Sequence, residues 1–317
     1  MITVKKEAWR IAVDEPDVLG ESPFWHPLEQ RLYWVDLPAK FILRTVPGSG
    51  VVERWAVPQE PGCIAPAASG GLVVAMRDGI YRAREWGGAL TQIVRMDHDP
   101  ATTRFNDGKC DPLGRLWAGT IFEPRTANEA KLYSFDCRGG RTPEVKLQAG
   151  DAITANGLAW SPDGHTVYWS DTPHHITHAW DWAADANTLT RHRVFQQFAT
   201  KPAGWTAGEP DHGSYNNAYG GRPDGAAVDA EGHYFASMFE GRRLCQFAPD
   251  GTLVAEIHTP AQCPTMPCFG GPDLRTLYLT TAREKRPAAE LAAMPASGCV
   301  FAMEVDVPGL PVNFFQD

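Results

Sequence analysis

The sequence predicts an all-β fold, a six-bladed β-propeller with four antiparallel strands per blade, and three observations carry that prediction. A unit made of an apolar strand, a Pro/Asp/Gly turn and a second strand rich in aromatic or β-branched residues recurs six times along 317 residues. The turns hold the residue types that tight reversals require. Long helical periodicity is nearly absent.

The units are SPFWHPLEQRLYWVD from Ser22, GCIAPAASGGLVVAM from Gly62, NDGKCDPLGRLWAGT from Asn106, NGLAWSPDGHTVYWSD from Asn156, PDGAAVDAEGHYFASM from Pro223 and PCFGGPDLRTLYLTTA from Pro267. Their starts lie 40, 44, 50, 67 and 44 residues apart. That interval suits a propeller blade of roughly 40 to 50 residues and is too long for leucine-rich or helical solenoid repeats. Within the units DPLG, SPDG and GGPD read as hairpin turns, and Asp163, Asp250 and Asp273, which follow a strand, belong to turns. Between units GIYRAR, KLYSFD, CQFAPDGTLVAEI and CVFAMEVDV supply outer strands. PAAELAAM near Pro287 is the one short helix. Ring closure requires the N-terminal strand to join the last blade, so AWRIAVD is expected to pair with CVFAMEVDV.

The chain 1–317 thus reads as a single propeller domain with a long inserted loop around 199–222. This loop is rich in Gly, Pro, Asn and aromatic residues, without a strand period. Long loops of this kind are commonly functional, and Trp205, Tyr215 and Tyr219 are expected to lid or line a pocket.

Composition narrows the function. With 43% hydrophobic and 21% charged residues the chain is an ordinary globular protein. A formal charge of −9 and no Lys/Arg cluster argue against nucleic acid as a partner. Seven scattered cysteines without a CxxC pair read as reduced, buried thiols. The N-terminal stretch regains charge at Glu7 and Arg10 before any apolar core forms, unlike a signal peptide, and no apolar run nears the length of a membrane span. The expectation is a cytoplasmic protein with no membrane partner, monomeric or weakly oligomeric.

If the units are equivalent blades, polar residues at the start of each first strand converge on the central channel. Four units carry them: Glu21 in LGESPFW, Arg104, Asn106 and Asp107 in RFNDGKCD, Asn156 in TANGLAW, and Asp224 in RPDGAAVD. Two carboxylates and an amide suit Ca²⁺, Mg²⁺ or Mn²⁺; Zn²⁺ or Fe²⁺ stays open as well, although it would lack its preferred His or Cys. Asn-Gly and Asp-Gly are also common hairpin turns, and taken singly each motif reads equally well that way. Position favours the site, because Asn106, Asn156 and Asp224 precede an apolar strand in register with the repeat. Glu21 has no turn role and is the strongest ligand candidate. His174, His175 and His178 read as a solvated loop rather than a metal cluster. No G-x-S-x-G elbow or Gly-rich phosphate loop is present.

GESPFW, RFNDGKCDPLGRLWAGT, NGLAWSPDGHTVYWSDT, RPDGAAVDAEG and PCFGGPDLRTLYLTTA together resemble the gluconolactonase, regucalcin and luciferin-regenerating family, over about Gly20 to Ala282. The last motif is particularly similar to bacterial sugar-acid lactonases. The resemblance implies a six-bladed propeller whose catalytic metal is held by Glu21, Asn156 and Asp224. It implies that Arg104 and Asn106 hold the sugar hydroxyls, with Glu123 the approximate match to an acidic substrate contact. The implied activity is metal-dependent hydrolysis of an aldonolactone such as glucono-, galactono-, xylono- or arabinonolactone. In that chemistry the metal polarises the carbonyl, Asp224 accepts the proton of the attacking water and Arg104 orients the substrate. Two other readings stay open, a non-catalytic calcium-binding or regulatory propeller and a phosphotriesterase- or arylesterase-like hydrolase. A WD-repeat propeller would need GH and WD signatures in register, and they are absent.

Overall fold

A computed structural model describes residues 3–5, 9–205 and 219–317. The chain forms six antiparallel blades, each running from an innermost strand to an outer one. Blade one comprises Gly20–His26, Arg31–Asp36, Phe41–Thr45 and Val52–Ala56, and blade two Cys63–Pro66, Leu72–Met76, Gly79–Ala83 and Thr91–Arg95. Blade three comprises Thr103–Cys110, Leu116–Phe122, Ala130–Asp136 and Glu144–Ala152, and blade four Ala155–Trp160, Thr166–Asp171, Ile176–Ala183 and Thr188–Gln197. Blade five comprises Arg222–Val228, Tyr234–Phe239, Arg243–Phe247 and Leu253–His258, with Thr3–Lys5 added parallel to its outer edge. Blade six comprises Pro264–Gly270, Thr276–Thr281 and Val300–Glu304, and its fourth strand is Arg10–Val13 from the other end of the chain. Arg10 pairs with Ala302 and Ile11 with Phe301. The expected closure is therefore observed, and the six sequence repeats are the first two strands of the six blades.

The turn chemistry works as read. Asp163 Oδ1 accepts the His165 amide at 3.0 Å, Asp250 Oδ1 the Thr252 amide at 2.8 Å and Asp273 Oδ1 the Arg275 amide at 3.1 Å. Each short side chain caps its own reversal and leaves the flanking strands free to pair. Ala288–Ala293 forms the expected short helix.

The apolar core is not central. It divides into six clusters, each filling the seam between two neighbouring blades. Phe24, Tyr33 and Val35 of blade one meet Ile64, Leu72 and Val74 of blade two, for example, and Trp117 of blade three meets Trp160 and Trp182 of blade four edge-on. Trp34, Trp117 and Trp169 are among the largest side chains wholly removed from water. Such radial packing fixes blade against blade and leaves the axis to the inner strands.

Acidic side chains pin the entry into two blades. Asp36 accepts the amides of Val18 (2.9 Å) and Leu19 (3.2 Å), and Asp171 those of Ile153 and Thr154, both at 3.1 Å. Beside Asp36, the buried Asp17 accepts Trp34 Nε1 at 2.8 Å. Burial, reinforced by the Asp36 charge, pushes Asp17 up to about 8. A carboxyl raised in the folded state contributes stability that is complete below its unfolded value of about 4 and is lost as pH rises through the folded value. Asp17→Asn, which cannot ionise, is therefore expected to gain on the wild type steadily between about pH 4 and pH 8. Denaturant melts across that range check this; a constant difference would rule it out.

Candidate functional site

The innermost strands of five blades carry a β-bulge at equivalent positions, and the bulges aim the polar residues. In blade three Phe105 pairs with Thr120 and Gly108 with Ala118, which leaves Asn106 and Asp107 out of the ladder. In blade five Pro223 pairs with Met238 and Ala226 with Ala236, leaving Asp224 and Gly225. In blades one and four the shift follows Glu21 and Asn156 directly. Blade six bulges around Thr265 and Met266, whereas the inner strand of blade two pairs without a break. An extra residue bends the strand and re-aims a side chain.

The Asn-Gly and Asp-Gly pairs are consequently not hairpin turns. Gly157 has φ +61°, and a Cβ there would lie 2.4 Å from Tyr234 Oη and 2.6 Å from Ser170 Oγ. A Cβ on Gly225 would lie 2.5 Å from Met266 Cβ. Glycine is required here by crowding at the axis.

Glu21, Arg104, Asn106, Glu123, Asn156 and Asp224 all line one cavity of about 490 Å³. A directional hydrogen-bond chain links Arg104, Asn106 and Asn156 among them. Arg104 Nη1 donates to Asn106 Oδ1 (2.9 Å), Asn106 Nδ2 to Asn156 Oδ1 (2.9 Å), Asn156 Nδ2 to Thr172 Oγ1 (2.7 Å) and Thr172 Oγ1 to the Pro223 carbonyl (2.7 Å). On the other side Glu123 accepts from Arg104 Nε (3.3 Å) and Arg77 Nη1 (2.8 Å), and Arg77 also reaches Glu60 at 3.2 Å. Sequence reasoning missed Thr172, Arg77 and Glu60. They lie at strand ends or between elements, where no repeat position marks them.

Glu21 and Asp224 are both buried, 8% and 7% exposed. Burial, together with the neighbouring Asp224 and Asp107, holds the Glu21 carboxyl well above the usual range. Burial also pushes Asp224 up to about 8, opposed by Arg222. Asp107 turns away from the cavity. One of its oxygens accepts the Leu158 amide at 2.9 Å, the other is buried without a partner, and the buried ammonium of Lys109 compensates its charge while donating to the Ala226 carbonyl.

Two buried carboxylates that repel each other beside an amide oxygen fit a hard divalent cation. Neither carboxylate has an ion-pair partner within salt-bridge distance among the described residues, so a cation or protonation must offset the repulsion between them. The Thr154 hydroxyl lines the same cavity and is buried without a partner. Among the described residues no group of three or more His, Cys, Asp or Glu surrounds one point, so the candidate centre consists of two carboxylates and an amide.

The histidine expectation holds in part. His174, half exposed, hydrogen-bonds Asp171, but His175 is buried against Tyr219 and His178 sits on the third strand of blade four beside His192. Tyr219 does not line the cavity; its hydroxyl donates to buried Glu240 at 2.9 Å, and Trp205 packs edge-on against its ring. Tyr215 lies outside the described residues. All seven cysteines are buried and free. Among the described residues no helix is long and apolar enough to cross a membrane.

Residues 19–283 match the SMP-30/Gluconolactonase/LRE-like region family. The chain is 41% identical over 309 residues to a 6-deoxy-6-sulfogluconolactonase of Pseudomonas putida, covering 98% of this chain and 99% of that one. It is 28% identical over 309 residues to a pentonolactonase of Haloferax volcanii, with 94% and 95% covered. A crystal structure of regucalcin from Agrobacterium tumefaciens, described as a calcium-binding protein, superposes with a TM-score of 0.87 at 25% identity over the whole of both chains.

Substitution at the bulge should be costly. Gly157→Ala must strain a positive φ and displace Tyr234 or Ser170, and is expected to lower stability by about 2–4 kcal/mol. Its denaturant midpoint reports the loss, and a change under about 0.5 kcal/mol would contradict the crowding described.

Proposed function

The chain belongs to the SMP-30/gluconolactonase/LRE-like family, and we propose that it is a metal-dependent lactonase that opens the ring of a sugar acid. One observation carries the proposal, the convergence of Glu21, Asn156 and Asp224 with Arg104 and Asn106 on a single cavity. The lactonase names of two of its relatives support the reaction class. Glu21, Asn156 and Asp224 would hold the ion, and a soluble, cytoplasmic setting accompanies this reading.

A bound divalent cation supplies Lewis-acid polarisation of the lactone carbonyl and eases deprotonation of a nearby water. Asp224 takes the proton of the water that attacks the carbonyl carbon. The ring C–O bond then breaks, and the leaving ring oxygen receives that proton. A carboxylate that also held a dication would be a weakened base, and the burial that raises Asp224 works against that weakening. Arg104 and Asn106 hold the sugar hydroxyls, and Arg104 balances negative charge developing on the substrate oxygen. Glu123 fixes the Arg104 guanidinium, itself held from behind by Arg77. The chain of donors from Arg104 to Thr172 fixes the orientation of the Asn156 amide, whose oxygen accepts from Asn106 and keeps a second lone pair with which it would hold the ion.

A calcium-binding propeller without catalysis is the second reading, favoured by the description of the Agrobacterium tumefaciens protein. A direct test is hydrolysis of glucono-, galactono-, xylono- and arabinonolactone and a sulfonated gluconolactone. The protein is first stripped with chelator and single divalent metals are restored, and spontaneous opening is subtracted. Turnover of one lactone that is lost on stripping and recovered with metal is expected. Asp224→Ala should lower kcat/KM by about 10²- to 10⁴-fold with its melting temperature maintained. Metal binding without turnover of any lactone would establish the second reading instead.

A further inference from the structure

Apart from the two carboxylates of the candidate metal centre, the charges around the cavity are matched except on one wall. Arg77 engages Glu60 and Glu123, Arg104 engages Glu123 and Asn106, Arg286 engages Glu290 and Glu240, and Lys285 engages Glu284. Two guanidiniums that line the same cavity lack such a match. Arg125, at φ +56° on the turn that follows Leu116–Phe122, donates its amide to the Phe122 carbonyl at 3.0 Å, but its guanidinium makes no ion pair or hydrogen bond among the described residues. Arg222, at the start of the inner strand of blade five, has its nearest carboxylate oxygen, on Glu240, at 3.7 Å. That carboxylate is already taken by Lys201 (2.9 Å), Tyr219 (2.9 Å) and Arg286 (3.1 Å). The Arg222 Nε is buried without a partner, and its guanidinium lies over the Phe239 ring at 5.2 Å.

The two arginines repel each other, and the negative charge they share is that of Asp224. Resting on the reading above, in which Asp224 is committed to a dication, the wall then faces the cavity with two positive charges, and the carboxylates that remain near them, Glu240, Glu123 and Glu284, are already engaged by other cations. A neutral polyol gives such a wall only hydroxyl acceptors. A sulfonate, phosphate or carboxylate offers several charged oxygens matched to guanidinium donors. We propose that the substrate is a sugar lactone bearing an oxyanion on the part of the molecule away from the lactone carbonyl, and that Arg125 and Arg222 hold it.

The test compares kcat/KM for gluconolactone, its 6-sulfo and 6-phospho analogues and the monolactone of the corresponding sugar diacid, in the wild type, Arg125→Gln and Arg125→Lys. One charged lactone should exceed the neutral one by about ten-fold or more. That ratio should fall toward one in Arg125→Gln, chiefly through KM, and fall with added salt, while Arg125→Lys keeps part of it. Preference for the sulfonate and phosphate over the diacid lactone identifies a tetrahedral oxyanion, and the reverse a planar one. Equal kcat/KM for neutral and charged lactones, or a ratio that Arg125→Gln leaves in place, overturns the inference while the lactonase reading stands. If no lactone turns over, calorimetric titration decides. Tighter binding of 6-sulfogluconate than gluconate, lost in Arg125→Gln, keeps the anion site and removes the lactonase reading, and equal binding overturns both.

Discussion

Arg104 can only donate hydrogen bonds, and that single restriction orders the centre of the molecule. Because its Nη1 meets the Asn106 side chain, the Asn106 oxygen must face it and the Asn106 amide group must face Asn156. Asn156 is then forced to present its oxygen to Asn106 and its amide group to Thr172, whose hydroxyl closes on the Pro223 carbonyl one residue before Asp224. Blades three, four and five are thereby tied around the axis by one polarised relay. Reversing any amide would set donor against donor, so the arrangement has one state.

The axis can be polar because the apolar energy is stored elsewhere. Six seams, each shared by two blades, bury the tryptophans and aliphatic side chains, and none of them depends on filling the channel. Against that frame Glu21 and Asp224 sit in a place that costs stability as charged groups. A protein that retains such a pair invests fold stability in a ligand, and the matched arginine–carboxylate pairs around the rim limit how far that cost spreads.

Much of this was legible in the residues. The spacing of the six units carried the blades and the turn aspartates carried the hairpins, since both follow from local backbone chemistry. AWRIAVD could be matched to CVFAMEVDV because a ring leaves one strand at each end to join. The convergence of Glu21, Asn106, Asn156 and Asp224 was readable from their places at the start of each blade's first strand, together with the lack of any turn role for Glu21. The device that aims them was not. A bulge is a property of paired strands, and Asn-Gly or Asp-Gly looks the same in sequence whether it turns a hairpin or kinks an inner strand. Arg77, Glu60 and Thr172 were invisible for a related reason, because each is defined by what stands across the cavity and not by its neighbours in the chain. His175 and Tyr219 read as loop residues, yet tertiary packing buries both.

The closure of the ring has a temporal side. Arg10–Val13 is made early, but its partner Val300–Glu304 is made after every other described strand, and the segment beyond it crosses back to blade two, where Phe315 pairs beside Pro66 and Asp317 meets Arg82. At about 5–20 residues per second, synthesis leaves Arg10–Val13 without its place for roughly 15–60 seconds. During that interval five blades can pack seam by seam, but the nascent arc has two open ends. The ring therefore comes into being as one late event, and a ribosome that stops short of the final strand releases an arc rather than a smaller propeller.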